Sequence, residues 1–290
     1  MPNTNSRHPD LLPLYPIIYE KSVRRALSED LGRAGDITTD AIVSLEDTAK
    51  AAIMTRSHGR IAGIDVAGSA FHCLDPRLGF EIMLHDGMDA GPGATLAVVH
   101  GAARPILSAE RTALNFLAHL SGIATMTRDI VALAHPARVV CTRKTTPGLR
   151  ALEKYAVRAG GGSNHRYGLD DAVLIKDNHI VVAGGVAEAI RRVRRRIGHL
   201  VKIEVEVDTL EQLASALNEK ADAILLDNMT PETLAEAVRM TKGKAITEAS
   251  GGITVETVEA VAATGVDLIS VGGITHSAPA LNLTLDLSFS

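Results

Sequence analysis

The sequence predicts an α/β protein whose C-terminal part is a parallel, barrel-like domain and whose N-terminal part is a smaller α+β domain. Three observations predict it. From Val139 onward, short apolar runs alternate with helical segments, the rhythm of parallel strands covered by helices. The convincing strand candidates number six, fewer than the eight of a complete barrel: Val139–Cys141, Val173–Ile175, Ile203–Val207, Ala223–Leu226, Ala245–Thr247 and Leu268–Val271. Charged residues recur at the end of strand after strand, which favours one barrel mouth over the competing doubly wound sheet.

Taken in order, residues 1–16 are polar and Pro-rich, lack a signal-peptide core, and are expected to be loosely ordered. Ile18–Leu31 reads as a helix, with Val23, Ala26, Leu27 and Leu31 on one face and Gly32 as its stop. Lys50–Ile64 alternates around Gly59 and Gly63 like a bent hairpin or two short strands. Asp65 is placed to cap a helix through Cys73. Phe80–Leu84 and Thr95–Gly101 read as strands, with Gly91-Pro92-Gly93 turning between them. Ser108 opens a long helical region with an expected interruption near Ser121-Gly122; a second helix over Ala124–Ala134 ends at His135-Pro136. The N-terminal domain thus spans 17–136 and the barrel 137–274, with 275–290 able to return to the first.

Within the barrel region, Leu149, Leu152, Ala156 and Ala159 recur at helical spacing and Gly160-Gly161-Gly162 stops that helix. Later helices are Leu210–Leu217, Pro231–Met240 and Val255–Ala263, announced by Asp208-Thr209, Thr230-Pro231 and Thr254 and stopped by Gly243 and Gly265.

Composition bounds the function. The chain has 290 residues, 46% hydrophobic, enough for a large core. A net charge of −4 gives no reason to expect nucleic acid, and with 3% aromatic residues and no Trp a base-stacking platform is not expected. The basic run Arg191-Arg192 with Arg194-Arg195-Arg196 reads as a solvated helix face or a subunit contact. Cys73 and Cys141 read as two buried free thiols in a reducing cytoplasm. No apolar run approaches the roughly 18 residues of a membrane span. HExxH, GxSxG, the Walker loop and a strand-linked GxGxxG are all missing from the sequence.

The chemistry centres on Thr142–His179. Thr142, Arg143 and Lys144 follow one strand, His165-Arg166 sits in a loop, and Lys176 ends the next strand. A single charge there would be an ordinary surface residue; several cations at successive strand ends make an anion site, Arg offering a planar fork and Lys a point charge. Lys202–Val207 alternates, so Glu204 and Glu206 share the face opposite Ile203, Val205 and Val207. A carboxylate facing a barrel interior needs cations or a metal beside it. Asp227 ends the following strand, and an acidic patch beside a basic one suits phosphates, a developing positive charge or bound Mg²⁺. Ser250-Gly251-Gly252 and Val271-Gly272-Gly273 follow the last two strands, where backbone N–H groups can approach a phosphate.

TRKTTPGLR, EKYAV, NHRYGL, LIKDNH, ERTALNFL, ASGGI and VGGITHSAPALNLTLD resemble, in order and spacing, the quinolinate phosphoribosyltransferase family (carboxylating nicotinate-nucleotide pyrophosphorylases). The resemblance implies an incomplete, open α/β barrel. It implies phosphoribosyl transfer from 5-phosphoribosyl 1-diphosphate to quinolinate with loss of CO₂. It implies Lys144, Lys176, Glu206 and Asp227 as catalytic residues, with Glu206 and Asp227 holding Mg²⁺ largely through the diphosphate donor. Arg143, His165, Arg166 and Lys176 would grip the quinolinate dianion, joined by Arg111 from a neighbouring subunit. A homodimer with shared sites follows, and a hexamer is open. His276 and Ser277 lie at the same mouth by that match, and the family varies around Gly273. Two other readings stand beside this one: a phosphoribosyltransferase for another anionic base such as nicotinate, and a non-catalytic barrel that senses phosphoribosyl ligands.

Overall fold

The structure is a computed structural model that describes residues 11–289; the first ten of the residues expected to be loosely ordered lie outside the described residues. The chain forms two compact units. Among the described residues, one comprises 11–128, 145–161 and 277–289, the other 129–144 and 162–276.

In the first unit, α1 (Pro16–Leu31) begins two residues before the sequence-based start because Pro16 occupies the first helical turn, where its missing N–H costs nothing. Tyr19, Val23 and Leu27 are its buried stripe. Asp36 caps α2 (Ile37–Ile42): its carboxylate accepts from the Thr39 backbone N–H (3.0 Å) and hydroxyl (2.6 Å), and from Ser108 Oγ at 3.0 Å. These bonds, the Thr39 hydroxyl first, hold the Asp36 carboxyl below its ordinary range.

β1 (Thr48–Thr55) and β2 (Gly59–Arg60) are two short strands, not a hairpin, and they join different sheets. α3 (Ile64–Leu74) corrects a second expectation. Asp65 lies inside its first turn; the cap is Asp86, which accepts from the backbone N–H groups of Gly63 (2.9 Å) and Ile64 (3.0 Å). A cap supplied from so far along the chain leaves no local signature. After β3 (Gly79–Ile82), the pair partner of β2 is β4 (Asp89–Ala90), and β5 (Thr95–Ala102) lies between β3 and β1.

α4 (Ala103–Ala134) runs unbroken through Ser121-Gly122. The small residues mark a close approach instead of an interruption. Ser121 Oγ accepts from the Ala62 backbone N–H at 3.1 Å, and a Cβ on Gly122 would collide with the Pro279 carbonyl oxygen. Gly→Ala inside a helix ordinarily stabilises by about 1 kcal/mol. Here the obstruction is backbone, so Gly122→Ala is expected to destabilise by about 1–3 kcal/mol in urea unfolding.

The second unit opens with β6 (Arg138–Val140). The helix that follows, α5 (Arg150–Ala159), counts with the first unit. Then come β7 (Val173–Ile175), α6 (Asp177–Ala183), α7 (Val186–Arg194), β8 (Ile203–Val207), α8 (Leu210–Asn218), β9 (Ala223–Asp227), α9 (Pro231–Thr241), β10 (Ile246–Ser250), α10 (Val258–Ala262), β11 (Leu268–Ser270) and α11 (Gly273–His276). Thr209 and Thr230 cap their helices as their sequence positions suggest. On and just past α7, Arg192 and Arg195 pair with Glu188 and Arg191 with Glu219, so these members of the basic run are a solvated, ion-paired face. β12 (Leu283–Phe289) pairs antiparallel with β1 in the first unit.

The six strands form one parallel sheet in the order β6-β11-β10-β9-β8-β7. A doubly wound sheet reverses direction from an interior strand; this order steps round without reversal, and the first strand lies beside the last. The sheet is therefore a barrel left open between β6 and β7. On that free side of β6 the chain after α5 takes a single bridge: Ser163 N–H donates to the Val139 carbonyl (2.8 Å) and Cys141 N–H to the Ser163 carbonyl (3.2 Å). Cys141 is buried and Cys73 half-buried, so only one of the two thiols is fully enclosed. Among the described residues, no helix is long and apolar enough to cross a membrane.

Candidate active site

Because the strands are parallel, residues at their C-terminal ends share one rim. Arg143 and Lys144 lie beyond β6, Lys176 directly after β7, Glu206 near the end of β8, Asp227 at the end of β9, Ser250 at the end of β10, and Val271-Gly272 after β11. Of the residues singled out in the sequence, all but Arg111 and Ser277 lie in this unit. Arg111 sits on α4 of the first unit, exposed, where it lines a cavity of about 400 Å³ with Glu29, Asp30, Asn115 and His119.

The cations are not equivalent. Lys176 Nζ is 2.8 Å from Glu206 Oε2 and is committed to it. His165 Nε2 is 2.8 Å from Glu204 Oε2, and its Nδ1 accepts the Arg166 backbone N–H at 2.7 Å. Nε2 is also 3.7 Å from Glu248 Oε1, so two carboxylates face the His165 ring.

Arg143 and Arg166 differ from both. Each has a buried Nε that finds no acceptor among the described residues. Arg166 donates from Nη1 to the Ala172 carbonyl at 2.8 Å. Burial first, and then the positive charge of Arg143, push the Arg166 guanidinium below its ordinary pKa. Two half-buried guanidinium groups within each other's field, each with an Nε that has no acceptor among the described residues, are suited to receive a planar anion.

Around the rim the glycines have geometric reasons. Asn228, at φ 53°, donates through Nδ2 to Asp227 Oδ2 (2.6 Å) and through its backbone to the Ser250 carbonyl (2.9 Å). Gly251 has φ +100° and a Cβ there would collide with the Asn228 side chain. A Cβ on Gly272 would stand 3.1 Å from Lys144 Cδ and 3.4 Å from His276 Nε2, which sets Lys144, His276 and this turn side by side. Gly252, at φ +60°, and Gly273, the first residue of α11, complete the two turns. Thr142 Oγ1 accepts from Lys144 N–H (3.0 Å), and buried Thr275 donates its hydroxyl to the Lys144 carbonyl (2.8 Å).

Sequence reasoning missed Thr275, Asn228 and Glu248, and left Glu204 out of the site. Glu204 was available, because strand alternation already put it on the face of Glu206. Glu248 is 2% exposed on β10, past the end of the strand as read from sequence. Burial and then the charge of Glu204 raise its pKa to about 7.

Family models match both parts of the chain: Quinolinate phosphoribosyl transferase, N-terminal domain, over residues 36–121, and C-terminal domain, over 123–286. The chain is 44% identical over 273 residues to a probable carboxylating nicotinate-nucleotide pyrophosphorylase of Bacillus subtilis, covering 93% of this chain and 94% of that one. It is 44% identical over 278 residues to the counterpart in Methanocaldococcus jannaschii, covering 92% and 96%. The structure of the nicotinate-nucleotide pyrophosphorylase from Francisella tularensis superposes with a TM-score of 0.91 at 40% identity, over 95% of this chain and 98% of that one. With models matching nearly its whole length and relatives this similar end to end, the chain belongs to the quinolinate phosphoribosyltransferase family.

Proposed function

We propose that the protein transfers the phosphoribosyl group of 5-phosphoribosyl 1-diphosphate to the ring nitrogen of quinolinate and releases CO₂, forming nicotinate mononucleotide and diphosphate for de novo NAD biosynthesis. The observation that carries this reading is the pair Arg143 and Arg166, half-buried, within each other's field and each with a buried Nε that has no partner among the described residues. A dicarboxylate relieves both costs at once, and each charge-assisted hydrogen bond contributes about 1.5–3 kcal/mol.

Lys144, His276 and the backbone of the Ser250-Gly251-Gly252 and Val271-Gly272-Gly273 turns take the phosphates. Glu206 and Asp227 face the ribose. As the bond from the anomeric carbon to diphosphate breaks and the bond to the pyridine nitrogen forms, positive charge builds on the sugar, and these carboxylates stabilise it. They are also hard oxygen donors on adjacent strand ends, and Lys176 and Asn228 occupy only one oxygen of each, Glu206 Oε2 and Asp227 Oδ2, so the set fits Mg²⁺. When bound, Mg²⁺ neutralises charge on the diphosphate. The alkylated ring nitrogen then accepts the electron pair of the breaking carbon–carboxylate bond, CO₂ departs, and the ring carbon takes up a proton. That step asks for orientation and exclusion of water more than for a strong base.

Purified protein with quinolinate, 5-phosphoribosyl 1-diphosphate and Mg²⁺ is expected to release CO₂ and diphosphate in equal amounts. Diphosphate without CO₂, or turnover of nicotinate instead, overturns the reading.

Arg111 completes the site from the other subunit of a homodimer in this proposal. Mixing Arg111→Ala chains with Lys176→Ala chains, each inactive alone, restores part of the activity once subunits exchange. Continued inactivity of the exchanged mixture rules out shared sites. Cys73 and Cys141 form no disulfide, which accords with a reducing cytoplasm.

A further inference from the structure

Among the described residues, two that are not glycine have a left-handed backbone: Lys220, at φ 54°, and Asn228, at φ 53°. Lys220 comes just after α8, where such a residue is an ordinary helix stop. Asn228 ends no helix. It follows Asp227, the last residue of β9, and its conformation needs another reason.

The reason lies in where the side chain is sent. The Asn228 backbone N–H donates at 2.9 Å to the carbonyl of Ser250, which is the register partner of Asp227 on β10. With the backbone fixed there, the side chain turns back on the preceding residue, and Nδ2 donates to Asp227 Oδ2 at 2.6 Å. Asp227 Oδ1 has no partner among the described residues. Gly251 leaves the room for this: a Cβ there would collide with Asn228 Oδ1 and stand 2.9 Å from the Asn228 backbone nitrogen. The neighbouring rim carboxylate, Glu206, has one oxygen held by the Lys176 cation. Asp227 is held by a neutral amide, which orients a carboxylate without cancelling its charge.

We propose that Asn228 is a positioning residue for phosphoribosyl transfer: its side-chain amide ties down one oxygen of Asp227 and leaves the other, with its charge, for the sugar. This rests on the reading of Asp227 as a carboxylate that faces the ribose. A misplacement of about 1 Å in such a group is enough to lose about a hundredfold in rate.

Asn228→Gly keeps the left-handed backbone without strain and removes the amide. Asn228→Asp also tolerates that backbone and removes the donor. Were Asn228 needed for its backbone alone, both variants would behave as the parent. Both are expected to lower kcat about tenfold or more, with the quinolinate KM within about threefold. Proton–nitrogen NMR of the unliganded protein gives a readout that needs neither substrate nor metal: one proton of the Asn228 side-chain amide is shifted downfield in the parent, and Asp227→Ala abolishes the shift. An amide indifferent to Asp227→Ala, or a parental kcat in Asn228→Gly, overturns the proposal. If Asn228→Gly does not fold, the kcat of Asn228→Asp and the amide of the parent decide it. The ribose is common to every base, so a parent that transfers to nicotinate instead of quinolinate should lose nicotinate kcat by the same factor in Asn228→Gly. In that case the positioning role stands and the quinolinate assignment falls. A parent that transfers phosphoribosyl to neither base overturns both.

Discussion

Arg166→Ala is expected to weaken quinolinate binding about a hundredfold or more while leaving affinity for 5-phosphoribosyl 1-diphosphate within about threefold. The guanidinium carries a buried Nε with no partner among the described residues and can present more than one donor to a carboxylate. Removing two charge-assisted bonds costs about 3 kcal/mol or more, and every 1.4 kcal/mol is tenfold. Titration calorimetry with each ligand separately measures the contrast, and equal loss for both would remove the assignment of Arg166 to the dicarboxylate. Stability should move differently. In the unliganded protein Arg166 is desolvated and repelled by Arg143. Its removal relieves that repulsion, offsetting the lost bond to the Ala172 carbonyl, so Arg166→Ala should melt no lower than the parent. A site that costs stability when empty is the usual mark of one built for its ligand.

The second large effect is on the chemical step. Glu206→Gln keeps the shape of the side chain and removes the charge that, in the proposed reaction, faces the sugar. Electrostatic groups aimed at developing charge contribute about 10²–10³ in kcat, and a loss of that size is expected here with a much smaller change in quinolinate affinity. Lys176 complicates the reading, because it sits 2.8 Å from Glu206 and would be left as an uncompensated cation at the rim. The double variant with Lys176→Met separates the two: if the stranded lysine were the cause, the second substitution would recover activity. Single-turnover kinetics that show the bond to diphosphate breaking at the parental rate in Glu206→Gln would show that this carboxylate does not stabilise the sugar.

The barrel was legible because its signals are local. β7 and β8 coincide with the sequence-read strands, and the other four differ by a residue or a few at their ends. Rim residues were legible for the same reason: a charge directly after an apolar run is visible in the chain. What escaped depends on contacts across the fold. Asp86 caps a helix from a distant loop, Thr275 fixes the Lys144 backbone, and Glu248 looks from sequence like a polar interruption where a strand ends. The surroundings of His165 escaped for a related reason: that its ring lies against Glu204 and near Glu248 is visible only across the fold. The unbroken α4 teaches the converse, since Ser121-Gly122 looks like a stop until Pro279 is seen lying against it.

The open side of the barrel has one more implication. A seventh strand beside β6 would have a ladder of bonds; this edge has one bridge, at Ser163, two residues before His165. Backbone bonding ties the segment that carries Arg166 to β6 at that one bridge, with side-chain bonds of Asn164 to Cys141 and of His165 to Glu204 beside it, so a ligand gripped by Arg143 and Arg166 would also fasten that seam. Whatever binds between Arg143 and Arg166 supplies the crosslink that the missing strand would have made.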